Sequence, residues 1–188
     1  MSDYYKTQAS VAEYIQMAKD VNGGALIKKL QMHLPAPASI LEIGSGPGTD
    51  WNLLTAHYEV TGSDNSPEFL KYLQTNYAKG QFLELDAVTL ETTEKFDGLY
   101  SNKVLHHLRD EELKTSIIRQ KAILNPDGII CHSFWKGEGS EMFKGMLVNY
   151  HDHTSLLDFF GKDFELLLTE PYAEFEPEDS ILMIAKRK

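Results

Sequence analysis

Strand and helix patterns alternate from Ser39 to Phe134, a glycine cluster follows the first of those strands, and two further strands without a long helix between them end the sequence. These three observations predict an α/β fold: a doubly wound, mostly parallel, seven-stranded sheet with an antiparallel C-terminal hairpin. The length of 188 residues suits one domain, taken as 1–188. Apolar residues make up 42% and charged residues 24%, a composition that excludes wholesale disorder.

The elements follow in order. Ser10 to Asp20 is expected to be a helix, with Val11, Tyr14, Ile15 and Ala18 on one face. Asn22-Gly23-Gly24 breaks it, and Ala25 to Leu34 forms a second helix that Pro35 and Pro37 stop. Ser39–Ile43 is a short apolar strand. A helix is expected over Asp50–Tyr58, then a strand over Glu59–Gly62 ending in Ser63-Asp64. Ser66 is an N-cap, with Pro67 at the first helical position and Glu68 in the first turn, and this helix runs to about Tyr77. Strands are expected at Gln81–Leu85 and Phe96–Tyr100, a helix at Asp110–Leu124, and a turn at Asn125–Gly128. A buried strand, Gly128–Phe134, comes next, then a helix at Thr154–Phe160 with Thr154 as N-cap, and strands at Phe164–Leu168 and Ser180–Ala185. Lys136–His153 fits no strand pattern and is expected to be a helical lid on the acceptor side. Residues 1–35 form an N-terminal helical lid.

Charge and cysteine content narrow the function classes. The chain carries 18 Lys plus Arg against 28 Asp plus Glu, a net charge of −10, and its only dense basic run is Lys186–Lys188. Phosphate backbones and anionic lipids repel such a chain, so no nucleic-acid or membrane partner is expected. No run of about 18 apolar residues exists to span a bilayer. The N-terminus lacks an apolar core and a cleavage pattern, and the single cysteine, Cys131, can form no internal disulfide, so the expected compartment is the cytoplasm.

In a doubly wound sheet, ligands bind beyond the carboxyl ends of the strands. The first strand leads into Glu42-Ile43-Gly44-Ser45-Gly46-Pro47-Gly48. Its G-x-G-x-G spacing departs from the dinucleotide fingerprint, whose third glycine would fall at Thr49. The loop also ends in Gly48-Thr49-Asp50, without the lysine a triphosphate site requires. The second strand ends in Asp64, which can accept two hydrogen bonds from ribose hydroxyls, and the third ends in Asp86, which can accept from an adenine amino group. With no Lys or Arg in these loops, the trio Glu42, Asp64 and Asp86 suits a nucleoside with a neutral or positive appendage and not a pyrophosphate.

LEIGSGPGTD, VTGSDNSPEFL, FLELDA, FDGLYSNKVLHHL and LNPDGIICHSFW, in that order and spacing, resemble the class I S-adenosylmethionine-dependent methyltransferases, in particular the small bacterial methyltransferase-domain type. The resemblance covers Ile40–Phe134 and, more loosely, the closing hairpin; it implies a Rossmann-like fold. It also implies that Gly44, Ser45 and Gly46 pass close to the methionine part of S-adenosylmethionine, with Glu42 near its amino group. Asp64 would hold the ribose, Asn65 would lie beside the adenine, and Asp86 and Ala87 would contact the adenine edge. Ser101 and Asn102 would line the cofactor near its methyl, and Phe134 and Trp135 would enter the acceptor pocket.

Methyl transfer is an in-line displacement, so alignment supplies much of the rate. A base is required only for a protonated acceptor, and His106 and His107, just past the fourth strand, are the candidates, His106 first. His151 and His153 lack a third placed ligand and are not read as a metal site. Cys131 is inert packing inside an apolar strand. Tyr4, Tyr5 and Tyr14 can close over the cofactor, and Phe143 with Met146 can wall the acceptor site; ordinary helix packing is the alternative in each case. The expected function is methyl transfer from S-adenosylmethionine to a small-molecule acceptor. A non-catalytic module that binds the same cofactor and a nicotinamide-dependent reductase are the alternatives.

Overall fold

The structure, a computed structural model, describes Tyr5 and residues 7–188; Tyr4 and the first part of the expected N-terminal lid lie outside the described residues. Helix α1 spans Gln8–Met17, capped by Thr7, whose side-chain oxygen accepts from the Ser10 N–H at 3.2 Å. Helix α2 spans Gly24–Leu30. Strand β1 (Ser39–Ile43), helix α3 (Thr49–Leu54), strand β2 (Glu59–Asp64), helix α4 (Pro67–Asn76), strand β3 (Gln81–Glu84) and strand β4 (Phe96–Asn102) follow. A short 3-10 turn, Leu105–His107, leads into helix α5 (Asp110–Ile123) and strand β5 (Leu124–Trp135). Strands β6 (Ser140–Phe143) and β7 (Met146–Asn149), helix α6 (His153–Phe160), and strands β8 (Phe164–Tyr172) and β9 (Ser180–Arg187) complete the chain.

Seven strands form one sheet in the order β3-β2-β1-β4-β5-β9-β8, and β6 and β7 form a separate pair. β1 through β5 run parallel, while β9 pairs antiparallel with both β5 and β8. Order reverses between β1 and β4, which opens a crevice at their carboxyl ends, the position where ligands bind in open α/β sheets. Both faces are covered. Leu41, Ile43, Leu99 and Phe134 belong to one core with residues of α5 and α6, whereas Ile40, Tyr100, Cys131 and Ile184 belong to the other with residues of α2 and α3. A strand buried on both faces has no exposed side, and in Ser39–Ile43 even Glu42 is buried.

Three local expectations are corrected. The expected helical lid at Lys136–His153 is instead the β6–β7 hairpin. Phe143, Met146, Leu147 and Tyr150 carry helical spacing, but Lys144 (φ 49°) and Gly145 (φ 77°) both adopt positive φ between the paired residues Phe143 and Met146. Two such residues make the two-residue turn that matches the twist of an antiparallel hairpin. The α6 N-cap is Asp152 and not Thr154: its carboxylate accepts from Ser155 N at 2.8 Å, and the Ser155 hydroxyl accepts from Asp152 N at 3.0 Å. The Asn125–Gly128 turn lies within β5 as a bulge, because pairing jumps from Phe96–Leu124 to Gly98–Ile129. No helix of the described residues is long and apolar enough to cross a membrane.

Candidate functional site

Two connected hollows occupy the crevice: a larger cleft of about 290 Å³ and a smaller lobe of about 100 Å³. Tyr14, Gly44, Gly46, Asn102 and Lys103 line both, so the two are parts of one site. Its floor is the loop after β1. Gly44, Gly46 and Gly48 all have positive φ (71°, 49° and 81°), which L side chains adopt at a cost. They differ in surroundings. A Cβ at Gly44 would stand 2.7 Å from Val104, and one at Gly48 would stand 2.7 Å from both Leu73 and Tyr77. At Gly46 the nearest atom would be a ring carbon of Tyr14 at 3.8 Å, so this glycine faces open space.

Asp64, at the end of β2, ties the loop to the next helix. One carboxylate oxygen accepts from Gly46 N at 3.0 Å and the other from Ser66 N at 2.9 Å. Burial pushes its carboxyl above the usual range, against the lowering effect of these backbone donors. Tyr5, Tyr14 and Phe69 form an aromatic wall beside it, with ring centroids 5.3 to 5.8 Å apart. Burial, then the charges of Asp64, Asp50 and Glu174, raise the Tyr14 phenol.

The smaller lobe is acidic, lined by Glu42, Asp50 and Glu174. Asp50 is fully engaged: it accepts from Gly23 N at 2.6 Å, Tyr100 OH at 2.7 Å and Asn102 Nδ2 at 3.0 Å, and so pins the segment before α2 to the ends of β4. Glu42 is different. Its Oε2 is buried without a hydrogen-bond partner among the described residues. Burial, then the charge of Asp50, push its carboxyl up to about 8.

The larger cleft brings together Tyr5, Tyr14, Gly44, Gly46 and Asp64 from the expected set, with Asn65, Ala87, Asn102 and His107. Ser45 and Glu42 line the smaller lobe. Six expected residues line neither hollow. Asp86 bonds back to Val88 N at 2.6 Å and so caps its own loop. Ser101 is enclosed beneath the sheet's rim, 2.8 Å from His132 Nδ1, in a chain that runs through Gln120 to Ser116. Phe134 is core, its ring against His151 and Phe160. Phe143 points outward and is 52% exposed. Trp135 stacks on Phe175 at 5.9 Å and lies under the Lys103 ammonium.

The sixth, His106, is 2% exposed, and its Nδ1 has no partner among the described residues. Burial, then the neighbouring His107, Lys103 and His151, hold it well below the usual imidazole range. The two histidines therefore exchange rank. His107 lines the cleft, with Nδ1 2.6 Å from the Leu147 carbonyl. A carbonyl only accepts, so Nδ1 carries the proton and Nε2 of the neutral ring remains an acceptor. Burial lowers the His107 pKa despite that bond, which favours the neutral ring.

Several lining residues escaped the sequence reading. Lys103, which follows the fourth strand, lines both hollows. Arg109 lines the outer cleft, and Met142 and Leu147 close it from the hairpin beside Met146, which was expected at the acceptor wall. The SNKVLHHL stretch carried the signal for Lys103, but its side-chain direction depends on a left-handed backbone (φ 56°) that residue type does not suggest. The hairpin is held over the cleft by Asn149, whose side chain donates to Leu108 O, and by an ion pair between Lys144 and Glu13 of α1 at 2.6 Å.

Residues 40–128 match the family described as "Methyltransferase domain". Trans-aconitate 2-methyltransferase of Methylobacterium radiotolerans is 32% identical over 100 residues, which are 52% of this chain and 38% of that protein. Its namesake in Methylobacterium nodulans is 30% identical over 100 residues. The chain thus spans 38% and 39% of the length of these two curated relatives. Among solved structures, 1,6-didemethyltoxoflavin-N1-methyltransferase of Burkholderia thailandensis, with 1,6-didemethyltoxoflavin and S-adenosylhomocysteine bound, superposes with a TM-score of 0.82 at 22% identity, over 96% of this chain and 84% of that one. The N-methyltransferase NodS of Bradyrhizobium japonicum WM9, in complex with S-adenosylhomocysteine, gives a TM-score of 0.75 at 16% identity, over 98% and 99% of the two chains.

Proposed function

From the match of residues 40–128 to the methyltransferase-domain family we propose that the chain transfers a methyl group from S-adenosylmethionine to a small-molecule acceptor. One observation carries the reading: an open glycine, Gly46, and a buried carboxylate, Asp64, stand side by side at the switch point, next to an acidic lobe. Asp64 supplies acceptors for ribose hydroxyls. Asp50 and Glu174 make the smaller lobe favour an ammonium and a sulfonium over a pyrophosphate, and the unpartnered Oε2 of Glu42 offers an ammonium a neutral acceptor. Asn65 and Ala87, which line the larger cleft, would hold the adenine, and Ser45, in the smaller lobe, would hold the aliphatic tail.

The cofactor supplies an electrophilic methyl carbon on a sulfur that leaves as a neutral thioether. The protein aligns the acceptor: Val104, Met146 and Leu147 give the larger cleft an apolar lining beside the glycine loop. His107 takes the proton of a protonated acceptor, and an anionic acceptor needs no base. The acceptor is read as a small molecule because the net charge of −10 disfavours nucleic acid and the hairpin covers a confined cleft. A single buried cysteine, its thiol pushed up by burial, fits a reducing cytoplasm.

Calorimetric titration with S-adenosylhomocysteine and then NADH tests the reading, with Asp64→Ala alongside. Micromolar binding of the first ligand and none of the second is expected. Loss of charge-assisted bonds in Asp64→Ala should weaken it by about 10- to 100-fold. Preference for NADH would make the site a dinucleotide site. Cofactor binding without turnover over a broad acceptor panel would leave a binding module.

A further inference from the structure

Lys103 is a cation that lines both hollows. Its backbone is left-handed, with φ 56°, and its N–H donates to the Ser133 hydroxyl at 3.0 Å. A residue with a Cβ rarely holds this conformation, and such positions gather at ligand sites. The ammonium is fixed on three sides. It donates to Ser180 Oγ at 2.6 Å, lies 3.7 Å over the Trp135 ring and lies 5.1 Å from the Tyr172 ring. Ser180 in turn donates to Asp179 Oδ1 at 2.8 Å, and Asp179 also accepts from the backbone N–H groups of Glu174, Phe175 and Glu176. That carboxylate is therefore occupied. No carboxylate of the described residues stands within ion-pair distance of Lys103, in contrast to Lys29, Lys121, Lys136 and Lys186. Burial lowers the Lys103 pKa to about 8, against the opposing pull of Glu174 and Asp179. A half-buried, immobilised and unpaired ammonium that lines both hollows has the chemistry of an anion site.

We propose that Lys103 is a carboxylate-binding residue, its ammonium reserved for a carboxylate of the molecules that meet at the junction of the two hollows. The proposal rests on the cofactor reading above. Two sources share this chemistry. One is the amino-acid tail of the cofactor, whose ammonium would face the acidic lobe while its carboxylate met Lys103. The other is a carboxylate on the acceptor, entering from the larger cleft.

The test compares wild type with Lys103→Asn and Lys103→Met. Asparagine tolerates the left-handed backbone, and methionine keeps most of the hydrocarbon stem, so at least one variant retains the fold, checked by thermal melting. The first arm titrates S-adenosylhomocysteine and 5′-methylthioadenosine, which lacks the amino-acid tail. A loss of about 10- to 100-fold for the first ligand, with the second unchanged, assigns the carboxylate to the cofactor. The second arm titrates protein saturated with S-adenosylhomocysteine with trans-aconitate, a small tricarboxylate, and with its trimethyl ester. Wild-type binding of the acid but not the ester, lost in the variants, assigns the carboxylate to the acceptor. If wild type binds S-adenosylhomocysteine and the variants match it in both arms, Lys103 binds no carboxylate. Failure of wild type to bind S-adenosylhomocysteine at all overturns the cofactor reading instead.

Discussion

Glu42 and Asp50 are both buried carboxylates in the smaller lobe, and their partners set them apart. Asp50 has three donors and serves as a structural tie. Glu42 has a buried oxygen without a partner and a carboxyl raised from 4.5 to about 8. Its native form therefore holds a proton that the unfolded chain has already released between those two values. Stability must fall as pH rises through that window, because ionisation is penalised only in the folded state. Glu42→Gln, isosteric and always neutral, should remove this loss: urea melts at pH 5 and pH 8.5 should show the variant gaining on wild type by a few kcal/mol, since each tenfold change in proton affinity is worth about 1.4 kcal/mol. Equal pH profiles for the two proteins would mean that Glu42 stays ionised. The acid itself was legible in the sequence as the residue before the glycine loop. Its protonation was not, since that follows from enclosure by elements far apart in the chain. The same holds for His106 and His107: adjacent in sequence and alike in chemistry, they are divided by which way a 3-10 turn points each ring.

At the scale of elements, the loop from Gly44 to Gly48 combines packing and ligand approach, and two substitutions separate them. Gly48→Ala meets both positive φ and atoms at 2.7 Å from α4 and Tyr77, so it should cost about 1–3 kcal/mol of stability. Gly46→Ala meets positive φ alone, with its nearest neighbour at 3.8 Å. It should lose about 1 kcal/mol to backbone strain, less than Gly48→Ala, yet bind S-adenosylhomocysteine at least 10-fold more weakly, because the methyl fills the space the ligand would take. Comparable melting points and affinities for the two variants would refute this division. Strands, the α4 cap and the alternation of βαβ units were readable because short-range signals agree with the fold: Ser66 accepts from Phe69 N with Pro67 in the first turn, as expected. The hairpin was not, because four apolar residues at helical spacing outweighed one lysine-glycine pair whose turn geometry only strand pairing reveals. Likewise Thr154 and Asp152 are both good caps, and Ser155 decides between them by pairing with the aspartate.

Across the whole molecule, the parallel strands, whose connections cross the faces of the sheet, contrast with the antiparallel edge at β9 and β8. β9 fills the gap between β5 and β8, and β8 touches the sheet through β9 alone. Met183, Ile184 and Ala185 of β9 are completely buried, so the strand contributes to both cores as well as to pairing. A chain ending at Asp179 should therefore lose more than an edge strand: it would unpair β8, expose the flank of β5 and remove Ser180 from Lys103. Circular dichroism and urea titration should show loss of cooperative unfolding, whereas a cooperative transition would mean that β1 to β5 fold without the hairpin. The same arrangement has a consequence for biosynthesis. A ribosome delivers β8 before the strand that joins it to everything else, so the nascent sheet has to wait, with β5 bare along one side, until β9 clears the exit tunnel. For that interval the polypeptide offers a naked β-edge to its neighbours, and a chaperone that shields such edges would act on this chain between the emergence of β5 and that of β9.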